Sequence, residues 1–367
     1  MMATTDSNTF AGHGGSTGDP GAENDRIGIG HAHGKAILLG EHAVVYGAPA
    51  LALPVPQLTV TAHATGFPCS DDGADQVSFA MTGPDSAAVT PLATDGLRRL
   101  VEEFKARTGV GRTRVDVLID CAIPQGRGLG SSAACARAAV LAFADLFERR
   151  LDARAVFDLV QASEKVAHGR ASGIDALATG STSLLLFRSG TAWELPVPTP
   201  GDDPAHPWER PDGPAGASRP YDFDGVFVIA DSGVGGSTRE AVELLRQKFE
   251  RDADTRTEFI SRASSLTYAA ASDLAHGRAS DFGARMTENH ELLHEMRLSS
   301  DRIDVLVEAA LAAGGLGAKI SGGGLGGCMV ALAGDPREAD EVVHGLRAAG
   351  AVRTWVVPVG RFASHVD

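Results

Sequence analysis

The feature that most constrains the fold is a glycine-rich loop between a predicted strand and an alanine-rich predicted helix. Apolar and polar side chains alternate over residues 113–123, which is typical of a half-buried strand. The loop IPQGRGLGSS covers Ile123–Ser132, and a helix is predicted for Ser132–Phe147. Glycines let the backbone approach a ligand at positive φ, and the unpaired N–H groups of the following helix attract anions. The unit therefore predicts a mixed α/β chain with a phosphate-type anion site. A plain glycine turn before a helix capped at Ser131 and Ser132 is the alternative.

Neither glycine loop of the chain matches a common nucleotide-binding motif. The loop after Ile123 has no lysine in G-x-x-x-x-G-K-[ST] spacing, which argues against a P-loop NTPase. A second loop, SGGGLGG over Ser321–Gly327, contains one G-x-G-x-x-G match. The apolar run CMVAL directly after it predicts a strand, whereas the dinucleotide-binding fingerprint requires a helix there. A Rossmann dehydrogenase is therefore not favoured.

The segment HELLH over His290–His294 points to a different function, zinc-dependent hydrolysis. Two histidines four residues apart on a helix can bind Zn²⁺, with the glutamate between them as general base. A catalytic zinc needs a third protein ligand, and the H-x-x-G-x-x-H continuation is absent, which leaves Glu308 as the acidic candidate. The flanking residues are polar. We therefore interpret the segment as a solvent-facing helix whose buried stripe is formed by Leu292, Leu293 and Met296.

Composition restricts the partners and the compartment. The formal net charge of −14 argues against binding to nucleic acid or to an anionic membrane, but not against an anionic small substrate in a local basic site. The 4 cysteines show no metal-ligand spacing and suggest buried thiols in a reducing cytosol. No apolar run approaches the roughly 18 residues of a membrane span, and residues 1–25 suggest a disordered tail without a signal core. We expect a cytoplasmic monomer or homodimer.

Helices and strands alternate on both sides of a proline-rich interruption. Residues Pro196–Pro220 hold eight of the 18 prolines and cannot form a helix or a central strand. We therefore predict an N-terminal domain over 26–195, an insert or linker over 196–220, and a C-terminal domain over 221–367. The C-terminal part is predicted to contain helices over 238–276, 280–296 and 301–313, followed by the strand GCMVALA, a further helix and a last strand.

Three stretches together resemble the GHMP kinase superfamily in order and spacing. They are GHAHGKAILLGEHAVVYGAPALALPV near the start, IPQGRGLGSSAA in the middle and GAKISGGGLGGCMVAL near the end. The form GKAILLGEHAVVYGAPALA is similar to the mevalonate kinases within that superfamily. The resemblance extends from about Arg26 to the C-terminus, apart from the proline-rich segment. It implies an α+β two-domain fold, with a left-handed βαβ unit in the N-terminal domain, a ferredoxin-like C-terminal domain and an active site in the cleft between them.

The resemblance also implies a reaction: ATP- and Mg²⁺-dependent phosphorylation of (R)-mevalonate at its 5-hydroxyl, in isoprenoid biosynthesis. Asp175 is the expected catalytic base, and Lys35 beside it keeps it ionised and offsets developing charge. Ser132 and Glu164 are the expected magnesium ligands. The expected ATP-binding residues are Pro124, Gly126, Gly128, Leu129, Gly130, Ser131, Ser132 and Ala133.

The substrate pocket is expected to draw on several segments at once. Its residues are Lys35, Glu41, His42, Ser172, Asp175, Thr238 and Arg239, and the third glycine motif supplies Ser321, Gly322, Gly323 and Gly324. Arg239 is the expected partner of the substrate carboxylate. The alternatives are a superfamily kinase for phosphomevalonate or another small alcohol, the zinc hydrolase, and a binding protein that has kept the fold without activity.

Overall fold

The chain folds into two β-sheets with helices packed against them. The computed structural model describes residues 26–67, 76–84, 91–169, 171–195 and 223–365. The predicted tail over 1–25 and the proline-rich segment over 196–220 lie outside the described residues.

The first sheet has six strands, in the order β3-β4-β2-β5-β6 with β1 paired to β2. Its strands are β1 (Ile27–Leu39), β2 (Ala50–Phe67), β3 (Gln76–Thr82), β4 (Arg114–Cys121), β5 (Leu184–Arg188) and β6 (Thr191–Leu195). The helices of this half are α1 (Pro91–Thr108), α2 (Ser131–Leu146), α3 (Ala153–His168) and α4 (Ile174–Ala178). Buried and exposed residues alternate strictly along β4, which confirms the predicted half-buried strand before the glycine loop.

The second sheet is antiparallel, in the order β10-β7-β9-β8. Its strands are β7 (Gly225–Asp231), β8 (Gly317–Ser321), β9 (Cys328–Ala333) and β10 (Arg353–Val359). The helices are α5 (Thr238–Arg251), α6 (Ala253–Ala275), α7 (Ala279–Glu295) and α8 (Asp301–Ala312), all between β7 and β8, and α9 (Pro336–Ala348) between β9 and β10. The first strand, β7, lies between the last strand, β10, and the third strand, β9, and the second strand, β8, pairs with β9 at the edge. This is the predicted ferredoxin-like arrangement.

Two glycines of β1 allow α2 to lie directly on the first sheet. A Cβ atom at Gly28 would come within 2.2 Å of the Ala142 carbonyl oxygen, and one at Gly30 within 2.0 Å of the Ala138 carbonyl oxygen. Both alanines are fully buried. Because no side chain separates strand from helix, the N-terminus of α2 is held against the part of β1 that carries Lys35, whose side chain touches Gly130.

The observed elements differ from the predicted ones in three respects. The helix predicted over 238–276 is two helices, because Asp252 is extended and its carboxylate caps α6 by accepting from the N–H groups of Asp254 and Thr255. The edge strands β3 and β6 were not predicted, although Val77, Phe79 and Met81 alternate along β3 and pack against the core; both strands are otherwise largely exposed. The five-residue α4 was also not predicted. Within the part of the chain that the structure describes, no helix is both long and apolar enough to cross a membrane.

Candidate active site

Two adjacent cavities lie between the two halves of the molecule and share part of their walls. With the open space at their mouths included, the smaller one has a volume of about 750 Å³ and the larger one about 1510 Å³. The residues that line both are Gly128, Glu164, Asp175, Thr238 and Gly323. A small molecule in the first cavity and a larger one in the second would therefore meet at this common wall.

The glycine loop forms one side of the larger cavity. Its three glycines, Gly126, Gly128 and Gly130, adopt positive φ values of 65°, 77° and 78°, as predicted from their spacing. The predicted cap at the two serines is wrong: Gly130 is the N-cap of α2, no side chain caps the helix, and Ser131 and Ser132 are its first residues. The N–H groups of an uncapped first turn lack intrahelical partners, so this end of α2 is suited to an anion.

Three members of the predicted phosphate site do not line the cavity. Pro124, Leu129 and Ala133 are buried behind the loop. Leu129 accepts a hydrogen bond from the Lys35 N–H at 3.0 Å through its carbonyl, and thereby ties the loop to β1. These residues shape the loop, whereas Gly126, Gly128, Gly130, Ser131 and Ser132 present it to the cavity.

Lys35 joins the loop to the predicted catalytic aspartate. Its side chain is buried, with 3% exposure, and its Nζ donates to the Gly128 carbonyl oxygen at 2.9 Å. The same Nζ lies 3.1 Å from Asp175 Oδ1. Asp175 lies in the first turn of α4 and is partly exposed. One of its carboxylate oxygens contacts Lys35, and the residue lines both cavities.

Ser132 and Glu164 form the predicted oxygen pair. The Ser132 hydroxyl donates to Glu164 Oε1 at 2.6 Å, and both residues line the larger cavity. Mg²⁺ in phosphate-transfer sites takes one or two protein oxygens and completes its shell with phosphate and water. A hydroxyl and a carboxylate oxygen at the phosphate end of the cavity fit that donor set. The described residues contain no cluster of three or more His, Cys, Asp or Glu side chains suited to a metal ion, which such a site does not need.

The predicted substrate residues divide between the two cavities. Glu41, His42 and Ser172 line only the smaller one, and Thr238 lines both. Arg239 lines only the larger one, and its guanidinium donates to the Ala167 carbonyl oxygen at 3.0 Å. Neighbouring residues of a helix point about 100° apart, so the first turn of α5 sends Thr238 and Arg239 in different directions. The structure therefore does not bring Arg239 to the smaller cavity.

The third glycine motif closes the site from the second sheet. The Ser321 hydroxyl both accepts from the Ile37 N–H and donates to the Ile37 carbonyl oxygen, each at 3.0 Å, and so ties β8 to β1. The next glycines lie against the other motifs: a Cβ at Gly322 would be 2.5 Å from the Gly128 carbonyl oxygen, and one at Gly323 would be 2.2 Å from Thr238 Oγ1. At Gly324 the nearest atom is His42 Nε2, at 3.0 Å. Glycine is required here because the Gly128 backbone and the Thr238 and His42 side chains leave too little room for a Cβ atom.

Replacing Gly128 with alanine should impair the site more than the same change at Gly126. Both residues have positive φ, so each variant carries the strain of about 1–2 kcal/mol that a Cβ brings to that region. Only at Gly128 would the new Cβ also press on the third motif, 3.0 Å from Ser321 O and Gly323 N, since nothing lies within 4 Å at Gly126. Melting temperatures and turnover of Gly128→Ala and Gly126→Ala test this. Equal losses in the two variants would contradict the packing argument.

Burial and charge act together on the residues around the smaller cavity. Burial raises the pKa of Glu41, and the neighbouring charges of Lys319 and Lys35 oppose that rise. Burial and, to a smaller extent, the charge of Lys319 lower the pKa of His42 to about 4. His42 is therefore neutral at physiological pH. It adopts a φ of 60°, an uncommon value for a residue other than glycine.

Three residues near the site were missed by the sequence analysis. Lys319 is fully buried beside Glu41. Arg127, within the glycine loop, lies 3.0 Å from the buried Asp231 of β7 and so links the two halves of the molecule. Gln161 lines the smaller cavity and donates to the Ala171 carbonyl oxygen at 2.7 Å. A lysine inside an apolar strand and an arginine inside a glycine loop were signals that could have found the first two.

The HELLH segment lies on α7, away from the lining of both cavities. The predicted stripe is confirmed, since Leu292, Leu293 and Met296 are buried. The solvent-facing position expected for the histidines is wrong for His290, which is 7% exposed. Its Nδ1 accepts from the Ile320 N–H at 3.3 Å, so the proton of the neutral ring is on Nε2, which lies 3.3 Å from Asp304 Oδ1. A ring so engaged has no free lone pair for zinc.

Replacing the two histidines should affect stability in one case and very little in the other. His290→Ala leaves the buried Ile320 N–H without a partner and should cost about 1–3 kcal/mol of unfolding free energy. The His294 side chain is 66% exposed, so His294→Ala is the matched control and should be near neutral. Denaturant unfolding measures both, and metal analysis of the purified protein should find no stoichiometric zinc.

The free energy of unfolding should depend on pH through His290, and the direction of that dependence can be predicted. Burial lowers the pKa of His290 to about 4, below the usual value of about 6.5 in an unfolded chain. Between these values the unfolded chain binds a proton that the folded protein does not, so stability falls as pH decreases from about 6.5 towards 4. His290→Ala should reduce the slope of that part of the profile but not abolish it, because the pKa of His42 is also lowered to about 4; an unchanged slope would contradict the assignment.

Known proteins resemble the chain along most of its length. The family model for the GHMP kinases N terminal domain matches residues 95–182, and that for GHMP kinases C terminal matches residues 270–352. The mevalonate kinase of Thermococcus sibiricus is 30% identical over 343 residues, which cover 88% of this chain and 93% of that protein. The mevalonate kinase of Pyrococcus abyssi is 29% identical over 345 residues, with 89% and 93% covered. The crystal structure of L. major mevalonate kinase in complex with R-mevalonate has a similar fold, with a TM-score of 0.71, 22% identity, and coverage of 91% of this chain and 96% of that one.

Proposed function

Because the chain belongs to the mevalonate kinase family of the GHMP kinases, we propose that it transfers the γ-phosphoryl group of ATP to the 5-hydroxyl of (R)-mevalonate. The observation that carries the proposal is the contact between Lys35 and Asp175 at the wall shared by the two cavities. The smaller cavity suits a six-carbon hydroxy acid, and the larger one suits a nucleotide.

Asp175 is the proposed base. The substrate hydroxyl oxygen forms a bond to the γ-phosphorus, the bond from that phosphorus to the bridging oxygen of ADP breaks, and the hydroxyl proton passes to the Asp175 carboxylate. Lys35, 3.1 Å from Asp175 Oδ1, holds the carboxylate in place at the wall shared by the two cavities. Its charge also offsets the negative charge on the reacting oxygens. Positioning is the main contribution of the protein, because the transition state of phosphoryl transfer is loose.

The glycine loop and α2 are proposed to hold the triphosphate. The backbone N–H groups of Gly130, Ser131 and Ser132 lie at the uncapped, positive end of the helix. No lysine is needed inside the loop, because Lys35 brings a cation to it from β1. Ser132 and Glu164 would hold Mg²⁺, which when bound neutralises phosphate charge and orients the transferred group.

The alternative functions lack comparable support. A kinase for phosphomevalonate or another small alcohol would use the same phosphate loop and base, and only the smaller cavity distinguishes them. The zinc hydrolase is disfavoured by the hydrogen bonds of His290, which occupy both ring nitrogens. A binding protein without activity has no use for the buried Lys35 beside Asp175.

The test is ADP release from the purified full chain with ATP and one acceptor at a time. We expect turnover with (R)-mevalonate, and little or none with phosphomevalonate, homoserine or galactose. Omitting Mg²⁺ should abolish the activity, because the triphosphate charge is then not compensated. Preferred turnover of another acceptor would reassign the substrate, and no ADP release with any of the four would contradict the kinase function.

A further inference from the structure

Lys319 is a fully buried cation that the proposed reaction does not use. It lies in β8, with 0% of its side chain exposed, between the buried Ala318 and Ile320. Its ammonium group donates to Glu41 Oε1 and to the Ile320 carbonyl oxygen. Removing an ammonium group from water costs several kcal/mol unless partners compensate it. The position of Lys319 is thus tied to that of Glu41, which belongs to the other half of the molecule.

Glu41 stands between Lys319 and the smaller cavity. One carboxylate oxygen accepts from Lys319, whereas the other, Oε2, is buried and has no hydrogen-bond partner among the described residues. Glu41 and the adjacent His42 both line the cavity. A buried carboxylate oxygen without a donor is uncommon in native proteins, so a donor is expected to come from whatever fills the cavity. A hydroxyl group of the substrate is such a donor.

We propose that Lys319 is a positioning residue for the small substrate: it fixes the Glu41 carboxyl group in the cavity wall, where the second oxygen accepts a hydrogen bond from a substrate hydroxyl. The proposal rests on the proposed function, because it concerns the same cavity. Lys319 itself does not line the cavity and acts through Glu41.

Burial raises the pKa of Glu41, and Lys319 is the group that opposes this rise most strongly. The groups that face Glu41 are Lys319 from β8 and Lys35 from β1, and Lys319 has the larger effect on its pKa. His42, next in the chain, is neutral because burial lowers its pKa to about 4. Behind Lys319, His290 of α7 is also neutral, and Asp304 of α8 lies beyond it. Without Lys319, only a backbone hydrogen bond and the charge of Lys35 would oppose the rise in the pKa of Glu41 that burial causes.

The backbone of β8 holds Lys319 in place from the other side. The Ile320 N–H donates to His290 Nδ1, while the Ile320 carbonyl oxygen accepts from Lys319. The buried histidine of the HELLH segment therefore supports the strand that carries the lysine. This gives the segment a structural role that extends towards the substrate cavity.

The experiment uses the full chain with four variants: Lys319→Met, Glu41→Gln, the double variant and Lys248→Met. Lys248 is exposed on α5 and provides the same substitution outside the site. Lys319→Met should raise KM for mevalonate about 10–100-fold, as for the loss of a hydrogen bond to a charged acceptor, with a smaller change in kcat and an unchanged KM for ATP. The acidic limb of its kcat/KM profile should move to higher pH, because Glu41 protonates sooner. Lys248→Met should match the wild type.

The double variant separates positioning from mere structural support. Removing both buried charges should restore much of the melting temperature that Lys319→Met loses, since no uncompensated carboxylate remains. KM for mevalonate should stay raised, because the carboxyl acceptor is gone, and the shift of the acidic limb should disappear.

Several results would overturn the inference. A double variant with wild-type KM would show that the pair only supports the fold. This test can still be carried out if Lys319→Met alone does not fold. A Lys319→Met protein with unchanged KM and pH profile would overturn the inference while leaving the kinase function intact. If the wild type itself does not phosphorylate mevalonate, the proposed function fails and this inference fails with it.

Discussion

Asp175→Asn should reduce kcat by about 10²–10⁴-fold while leaving ATP binding near normal. This is the range over which a positioned general base contributes, and an amide cannot take the proton of the substrate hydroxyl. The fold should survive, because asparagine has nearly the same shape and Asp175 is partly exposed. Steady-state ADP release gives kcat, and nucleotide titration of the variant gives the affinity for ATP. Asp340→Asn, an exposed position on α9, is the matched control.

Combining this change with Lys35→Met tests whether the two residues act as a unit. If Lys35 works mainly by holding the Asp175 carboxylate and compensating its charge, the double variant should be little worse than the poorer single variant. Fully additive losses would indicate independent roles. Near-normal turnover of Asp175→Asn would remove the catalytic assignment altogether.

Glu164→Gln should raise the Mg²⁺ concentration needed for half-maximal activity by at least about 10–100-fold, the range known for altering the coordination environment of a metal. The amide keeps one oxygen but loses the charge, and it weakens the contact with the Ser132 hydroxyl, 2.6 Å away in the native protein. Turnover measured across a magnesium titration, at fixed ATP, tests the prediction.

A second variant, Ser132→Ala, tests the same pair of metal ligands, because it removes the partner oxygen on α2. Both variants should shift the magnesium titration in the same direction, with KM for mevalonate less affected than the metal requirement. A Glu164→Gln protein with a wild-type magnesium titration would contradict the assignment of this pair as metal ligands.

Much of the phosphate side of the site could be predicted, because the conformation of the glycine loop depends mainly on its own residues. The spacing of Gly126, Gly128 and Gly130 predicts positive φ at all three, and the structure confirms it. The exact helix start was predicted one residue late, since serine is a common N-cap whereas here Gly130 takes that position. Local backbone preferences explain both the success and the small error.

The substrate side was less predictable, because it depends on where side chains point after folding. Thr238 and Arg239 are neighbours in sequence, but only Thr238 reaches the smaller cavity, because adjacent residues of α5 point in different directions. The only sign of Lys319 in the sequence is a charged residue within the apolar segment GAKIS. Its role depends on contact with Glu41, which lies in the other half of the molecule. His290 was expected at the surface because its sequence neighbours are polar, yet β8 covers it.

The sequence by itself determined which local structures can form: a half-buried strand, a glycine loop with positive φ and a helix that begins with free N–H groups. Those properties depend on short-range sterics and hydrogen bonding, which neighbouring residues control. Only the tertiary structure decided that Lys35, Gly128 and Asp175 meet, and that Lys319 lies against Glu41. These contacts join residues far apart in the chain, and they arise from the packing of α2 on β1 and of β8 against the same strand.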